Sequence, residues 1–102
     1  MRPYKQTPRQ RDRIEKLIRS SKSYAGRTKR SLDHAGMQFG EDEYSEEMAM
    51  LYDQQANESA EYILINIEKA KKLNPTQDQI NDLWAIYGKA QQELISYEND
   101  LR

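Results

Sequence analysis

Cysteine and valine are absent from this 102-residue sequence, and histidine and phenylalanine occur only once each. Without cysteine the chain forms neither a disulfide nor a thiolate metal site, so a cytoplasmic location (the host cytoplasm if the protein is viral) is expected rather than secretion. The lack of valine, together with little threonine, leaves few β-branched strand formers. These absences predict a helical intracellular protein.

Residues typical of catalysis are equally scarce. Two carboxylate pairs have helical spacing, Glu43/Glu47 and Glu58/Glu61, but the Glu-x-x-His pairs of di-metal bundles are absent. His34 has no second histidine with which to hold a metal, and there is no glycine-rich phosphate loop. The sequence therefore predicts a protein that is not an enzyme and has no cofactor, no metal and no small-molecule substrate.

Long apolar segments are missing too. The longest run, residues 62–67, is interrupted by Asn66, and the charged N-terminus lacks the apolar centre of a signal peptide. No membrane partner is expected. Leucine, isoleucine and phenylalanine total 17 residues, but seven tyrosines, one tryptophan and four methionines add core volume, and the net charge of −1 argues against disorder. We therefore expect one folded domain, residues 1–102, with a thin core.

The first predicted helix begins at a capping box. In Thr7-Pro8-Arg9-Gln10, threonine caps, proline suits the first turn and glutamine bonds back to the cap. An apolar stripe then follows at helical spacing: Ile14, Leu17, Ile18, Ser21, Tyr24, Ala25, Thr28, Leu32 and Ala35. The spacing predicts one helix over about 8–35, closed by Gly36 and preceded by a flexible basic arm, residues 1–7. A break at Gly26, giving two short helices, is the alternative.

Two further helices follow, over about 42–73 and 77–101. Acidic residues 41–43 open the second helix, and Asn74-Pro75 stops it. A second capping box, residues 76–79, opens the third. The inward positions of the second are Tyr44, Met48, Tyr52, Ala56, Ser59, Ile63, Ile67, Ala70 and Leu73. Those of the third are Ile80, Leu83, Tyr87, Ala90, Leu94, Tyr97 and Leu101, with Trp84 expected as a core anchor beside them.

The predicted fold is all-α, an elongated antiparallel three-helix bundle or a long helical hairpin with a basic N-terminal helix attached. The second helix carries another apolar patch on its far side, at Met50, Leu64 and Ile65. Either the first helix covers this patch or it is a subunit interface, and a homo-oligomer is expected because the core is thin.

Charge is divided into blocks along the chain. Residues 1–30 hold eleven lysines and arginines against two acids, residues 31–68 hold ten acids and no lysine or arginine, and residues 69–102 hold five of each. One interpretation is that the basic first helix pairs with the acidic second helix. Another is that it contacts nucleic acid, because a phosphate backbone requires dense positive donors. Its candidate binding residues are Arg9, Arg11, Arg13, Lys16, Arg19, Arg27, Lys29 and Arg30.

No helix-turn-helix, zinc finger or RNA-recognition signature accompanies this block. We therefore expect a small regulatory binding protein, of the kind that phages and mobile elements encode, which contacts nucleic acid or a protein complex. The alternatives are an assembly component that acts through helical oligomerisation, and an inhibitor whose acidic face imitates nucleic acid.

One segment resembles a known repeat. Ala70 and Leu73-Asn74-Pro75 resemble the end of a tetratricopeptide repeat, and Trp84-x-x-Tyr87-Gly88 resembles the start of the next. The resemblance covers residues 60–91, has no second copy, and requires three extra residues at 76–78. It implies a helical hairpin in this part of the chain.

Overall fold

The computed structural model of the protein describes residues 5–37 and 43–100, and all statements about structure refer to these residues. They form three helices, α1 (Pro8–Met37), α2 (Glu43–Lys71) and α3 (Gln77–Asp100), and no strand occurs within the described ranges. The helices pack against one another in a rod with extents of 63 × 21 × 14 Å. The predicted all-α bundle is therefore confirmed.

Contacts between the helices establish their directions. The rings of Tyr24 in α1 and Tyr62 in α2 stack with centroids 5.0 Å apart, and later in α1 His34 stacks on the earlier residue Tyr52 at 5.3 Å. The two helices are therefore antiparallel. A short turn after α2 reverses the chain again, so that α3 runs back along α2 and lies parallel to α1. Both ends of α1 consequently lie beside ends of the other two helices.

The core follows the predicted stripes. Its buried apolar members come from all three helices and include Ile14, Leu32, Ile63, Ile67, Leu83 and Leu94. Alanine fills many positions in between, at residues 35, 49, 56, 60, 70 and 90, so the axes approach closely and little volume is needed to fill the interior. The core is thin because small residues make it so.

Polar side chains are also buried between α1 and α2, and each has a partner. Asn66 donates to the hydroxyl of Ser21 at 3.0 Å and to that of Ser20 at 3.4 Å. The Thr28 hydroxyl lies 3.0 Å from the Tyr24 carbonyl in its own helix and 3.3 Å from the Ala56 carbonyl across the interface. These bonds fix the register of the two helices, because an unpaired buried polar group is costly.

Both predicted capping boxes form. The Thr7 amide donates to Oε1 of Gln10 at 2.9 Å, and the Thr76 amide donates to Oε1 of Gln79 at the same distance. In return, the amides of Gln10 and Gln79 donate to the hydroxyls of Thr7 and Thr76. Each box thus satisfies two of the amides that a helix N-terminus leaves unpaired.

The sequence did not reveal a contact between the two caps. The Gln6 side chain donates to Gln79 at 2.6 Å and to the Asn74 carbonyl at 3.1 Å, and Gln79 donates back at 3.1 Å. Gln6 belongs to the arm, residues 1–7, that was predicted to be flexible. Gln6 has these hydrogen-bond partners, and the flexibility of the arm stays a prediction; residues 1–4 lie outside the described part of the chain.

The helix boundaries differ slightly from those predicted. α1 passes through Gly26 without a break, so the two-helix alternative is wrong, and it continues past Gly36 to Met37. α2 ends at Lys71 rather than residue 73. After it, the amides of residues 72 and 73 donate to carbonyls three residues earlier instead of four. Asn74 adopts a left-handed conformation, φ 53°, which reverses the chain before Pro75. Leu101 lies outside the described residues.

Two large aromatic side chains are exposed, and for Trp84 this contradicts the prediction. Trp84 is 42% exposed and is not a core anchor; its ring meets the Tyr87 edge and lies 5.7 Å from the Lys71 ammonium group. Tyr62 is 47% exposed, although it stacks on Tyr24. Both lie at the margin of their apolar stripes, where a wide ring reaches solvent.

Among the described helices, none is long and apolar enough to cross a membrane.

Candidate nucleic-acid interface

The basic side chains of α1 are exposed along its whole length. All eight residues predicted for binding are in this state: Arg9, Arg11, Arg13, Lys16, Arg19, Arg27, Lys29 and Arg30. The sole ion pair among residues 5–37 and 43–100 joins Lys71 to Glu68 within α2, at 3.0 Å. The expected pairing of basic α1 with acidic α2 is therefore not present as salt bridges in the described chain.

The packing of α1 divides its cations into two sets. When α1 is projected at 100° per residue, the residues that contact α2 share one flank of the helix. The side chains on that flank include Arg9, Arg13 and Lys16. Lys22 and Lys29 lie on the flank that borders α3. The sequence predicted one basic surface, whereas the structure has one on each side of the helix.

The first set lies at the end of the rod where α1 begins and α2 finishes. There Arg13 and Lys16 line a groove of about 400 Å³ together with Lys69 in the last turn of α2 and Lys72 directly after that helix. Leu17 and Leu73 complete its lining, and no acidic residue is among the lining residues. We call this the end groove. Four cations converge on it because the antiparallel arrangement places the basic last turn of α2 beside the basic first turns of α1.

The second set lines a different groove, also of about 400 Å³, between α1 and α3. Its charged rim consists of Lys22, Lys29 and Lys89, with Glu93 as the one acid lining it. Its floor is made of small and apolar residues: Ala25, Gly26, Ile86 and Ala90. We call this the side groove. Its apolar floor and mixed rim distinguish it from the end groove.

Charge is also separated along the rod. We take the level of Lys22 as the midpoint of the rod, because Lys22 lies near residues 64 and 88 of the other two helices. The half formed by residues 5–22 and 64–87 carries ten lysines and arginines against five acids. The other half, residues 23–37, 43–63 and 88–100, carries four against ten. One half is thus net positive and contains the end groove, and the other half is net negative.

Arg27 has a separate environment within the negative half. Its guanidinium lies 5.5 Å from the centroid of the Tyr24 ring, which in turn stacks on Tyr62. It also borders a small polar groove with Glu58. Arg27, Lys29 and Arg30 therefore extend the basic helix away from the end groove, and the structure does not bring them together with Arg13 and Lys16.

The predicted oligomer patch is only partly exposed. Met50 and Ile65 are 73% and 46% exposed, but Leu64 is half-buried and packs against the core. Leu64 therefore belongs to the interior of the single chain. Leu51, 51% exposed, was not predicted and replaces it on the outer surface. The sequence contained a pattern that could have identified Leu51, because this residue follows Met50 directly in a segment without cations.

Two observations concern ionisable groups. Burial raises the pKa of the Tyr97 hydroxyl, and the nearby Asp53 carboxylate adds to this effect. His34 is exposed. In the described part of the chain no three His, Cys, Asp or Glu side chains converge as metal ligands.

Comparisons with known proteins give no match: no protein-family profile fits the sequence, and neither a curated protein nor a solved structure is detectably similar to the chain.

Proposed function

We propose that the protein is a non-enzymatic, cytoplasmic regulatory protein that binds nucleic acid through the end groove and the adjacent basic face of α1. The observation that carries this proposal is the convergence of Arg13, Lys16, Lys69 and Lys72 on one groove whose lining contains no acid. Like charges in contact destabilise a fold unless an external anion neutralises them. A phosphate backbone supplies such anions at regular spacing.

The chemistry of this surface favours binding without sequence selectivity. Lysine and arginine side chains that are exposed and lack ion-pair partners contact phosphates, which carry no sequence information. The first turn of α1 adds Arg9, which lies on the same flank of the helix as Arg13 and Lys16. The surface offers no element shaped for reading base edges, so affinity depends on charge and falls steeply with salt.

The test is fluorescence anisotropy with short labelled DNA and RNA duplexes at several salt concentrations. The wild-type protein should bind, with an affinity that falls as salt rises. Replacing Arg13, Lys16 and Lys72 together by alanine should weaken binding and flatten the log–log salt slope by about two to three units, since each phosphate contact contributes about 0.9. This triple variant should be no less stable than the wild type, because no ion pair is lost and the repulsion among the four cations of the groove is reduced.

A matched control is available in the side groove. Replacing Lys22, Lys29 and Lys89 by alanine removes the same charge but leaves the end groove intact. If both triple variants lose the same affinity, the end groove has no special role and total charge alone controls binding. If the wild type binds neither nucleic acid at low salt, the proposal is wrong and the end groove serves an acidic protein partner.

A further inference from the structure

Two surfaces that take no part in the proposed nucleic-acid site complement each other. One is the side groove between α1 and α3. The other is the outer face of α2, which we define as the following exposed residues: Glu47, Met50, Leu51, Gln54, Glu58, Glu61 and Ile65. At 100° per residue these fall within a sector of about 100°, directed away from the buried positions of α2.

The outer face combines apolar side chains with negative charge. Met50, Leu51 and Ile65 are between 46% and 73% exposed. Single exposed apolar residues are ordinary on a protein surface, but here three share one face of one helix. Around them, residues 43–63 of α2 contain six acids and no lysine or arginine. A partner for this face must offer both an apolar contact and positive charge.

The side groove offers both. Its floor contains Ala25, Gly26 and Ala90, whose small side chains leave room for larger ones from outside. An added methyl group at Gly26 would approach only the end of the Arg30 side chain, at 3.3 Å, so the backbone there is open to solvent. Lys22, Lys29 and Lys89 on the rim supply the positive charge. The positive rim and the recessed apolar floor of the side groove therefore complement the negative charge and the projecting apolar side chains of the outer face.

Both surfaces belong to the same chain but lie on opposite sides of it. In a three-helix bundle the groove between two helices faces away from the outer face of the third. A chain thus cannot satisfy its own groove, whereas a second copy can. The outer face is long enough to cover the groove: the groove spans residues 22–29 of α1, about 11 Å, and Glu47 to Ile65 on α2 spans about 27 Å.

We propose that the side groove binds the outer face of α2 from a second copy of this chain. The contact is heterologous, since the two copies use different surfaces, so a pair of bound copies still presents one free groove and one free outer face. Assembly is consequently open-ended and continues with rising concentration. It does not depend on nucleic acid, and the end groove stays accessible in each copy.

Sedimentation velocity of two charge-reversal variants, without nucleic acid, tests this pairing. The groove variant carries Lys29→Glu and Lys89→Glu, and the face variant carries Glu47→Lys and Glu58→Lys. All four positions are exposed, so both variants should keep the helix content of the wild type by circular dichroism. The wild type should form species larger than dimers as concentration rises. Each variant alone should associate at least about tenfold more weakly, because its two surfaces then repel.

An equimolar mixture of the two variants gives the decisive result. The acidic face of the groove variant matches the basic groove of the face variant, and the two reversed surfaces match as well, so assembly should return in the mixture. A wild type that stays monomeric at all concentrations would overturn the proposal, as would a mixture that stays monomeric. A groove variant that still dimerises would show instead that outer faces pair with each other, and this also contradicts the proposal.

Discussion

Asn66 shows how a single buried polar residue controls the α1–α2 contact. It is 6% exposed and donates to the hydroxyls of Ser20 and Ser21 in the opposite helix. In the sequence, Asn66 interrupts the longest apolar run, residues 62–67. In the structure it sets the register, because its bonds to Ser20 and Ser21 hold the two helices in one alignment.

Replacing Asn66 by alanine should lower the free energy of unfolding by about 1–3 kcal/mol, because the buried Ser21 hydroxyl loses its cross-helix partner. Urea denaturation measures this change. In the Asn66→Ala background, Ser21→Ala should then have a smaller effect than it has in the wild type. Strictly additive losses would mean that the two side chains do not interact.

Tyr97 makes stability depend on pH at the alkaline end. Its pKa is raised above the ordinary value of 10.0 by burial and by Asp53, so the folded state holds the hydroxyl proton more tightly than the unfolded state does. The resulting stability is complete below pH 10 and is lost as pH rises through the folded-state pKa. Tyr97→Phe should therefore weaken the decline in urea midpoint above pH 10, and an unchanged decline would assign it to other groups.

At the scale of the helices, the two capping boxes provide an internal comparison. Both boxes pair a threonine with a glutamine at nearly the same bond lengths. Gln79 also exchanges hydrogen bonds with Gln6, whereas the Gln10 side chain, among residues 5–37 and 43–100, bonds only within its own box. Gln79 therefore joins the start of α1 to the start of α3 as well as capping a helix.

Gln79→Ala should consequently destabilise the protein more than Gln10→Ala does, by about 0.5–1.5 kcal/mol for the extra bonds. Thermal or urea denaturation of the two single variants gives the difference. Adding Gln6→Ala should reduce stability further in the Gln10→Ala variant but hardly in the Gln79→Ala variant. Equal losses for Gln10→Ala and Gln79→Ala would show that the contact with Gln6 contributes nothing.

Local patterns predicted most of the fold. Capping boxes, apolar spacing and the Asn74-Pro75 stop are short-range signals, and they located three helices with ends within about two residues of those observed. Gly26 was ambiguous because its cost in a helix is only about 1 kcal/mol, which the packing of Thr28 and Leu32 on the same helix overcomes. Trp84 was misplaced because a position beside a stripe does not determine whether a large ring is covered.

The candidate sites could be predicted only in part. The list of basic residues in α1 followed from the sequence, but the contribution of Lys69 and Lys72 depends on antiparallel packing that brings residues more than fifty positions apart together. The side groove depends likewise on α1 and α3 being neighbours. A surface that is built from two helices can be predicted only when the packing of those helices is known. The periodicity of a single helix carries no information on that packing.

For the molecule as a whole, the separation of charge has a cost in stability. The positive half concentrates Arg13, Lys16, Lys69 and Lys72 at one groove. Lys16→Glu should relieve this repulsion and raise the free energy of unfolding by about 0.2–1 kcal/mol while weakening nucleic-acid binding. Lys89→Glu, next to Glu93 in the side groove, should give no such gain. If Lys16→Glu is destabilising, the end groove is not under electrostatic strain.

The length of the rod gives this separation of charge a geometric consequence. The molecule is 63 Å long and only 14–21 Å across, and its positive and negative ends lie at opposite extremes. A copy anchored by its positive end therefore holds its negative end tens of ångströms from the anchor, beyond the screening length of physiological salt, about 8 Å. If nucleic acid binds the positive ends as proposed, the negative ends of the bound copies form the outer surface of the complex. A molecule that approaches from solution then still meets negative charge, now carried by the protein.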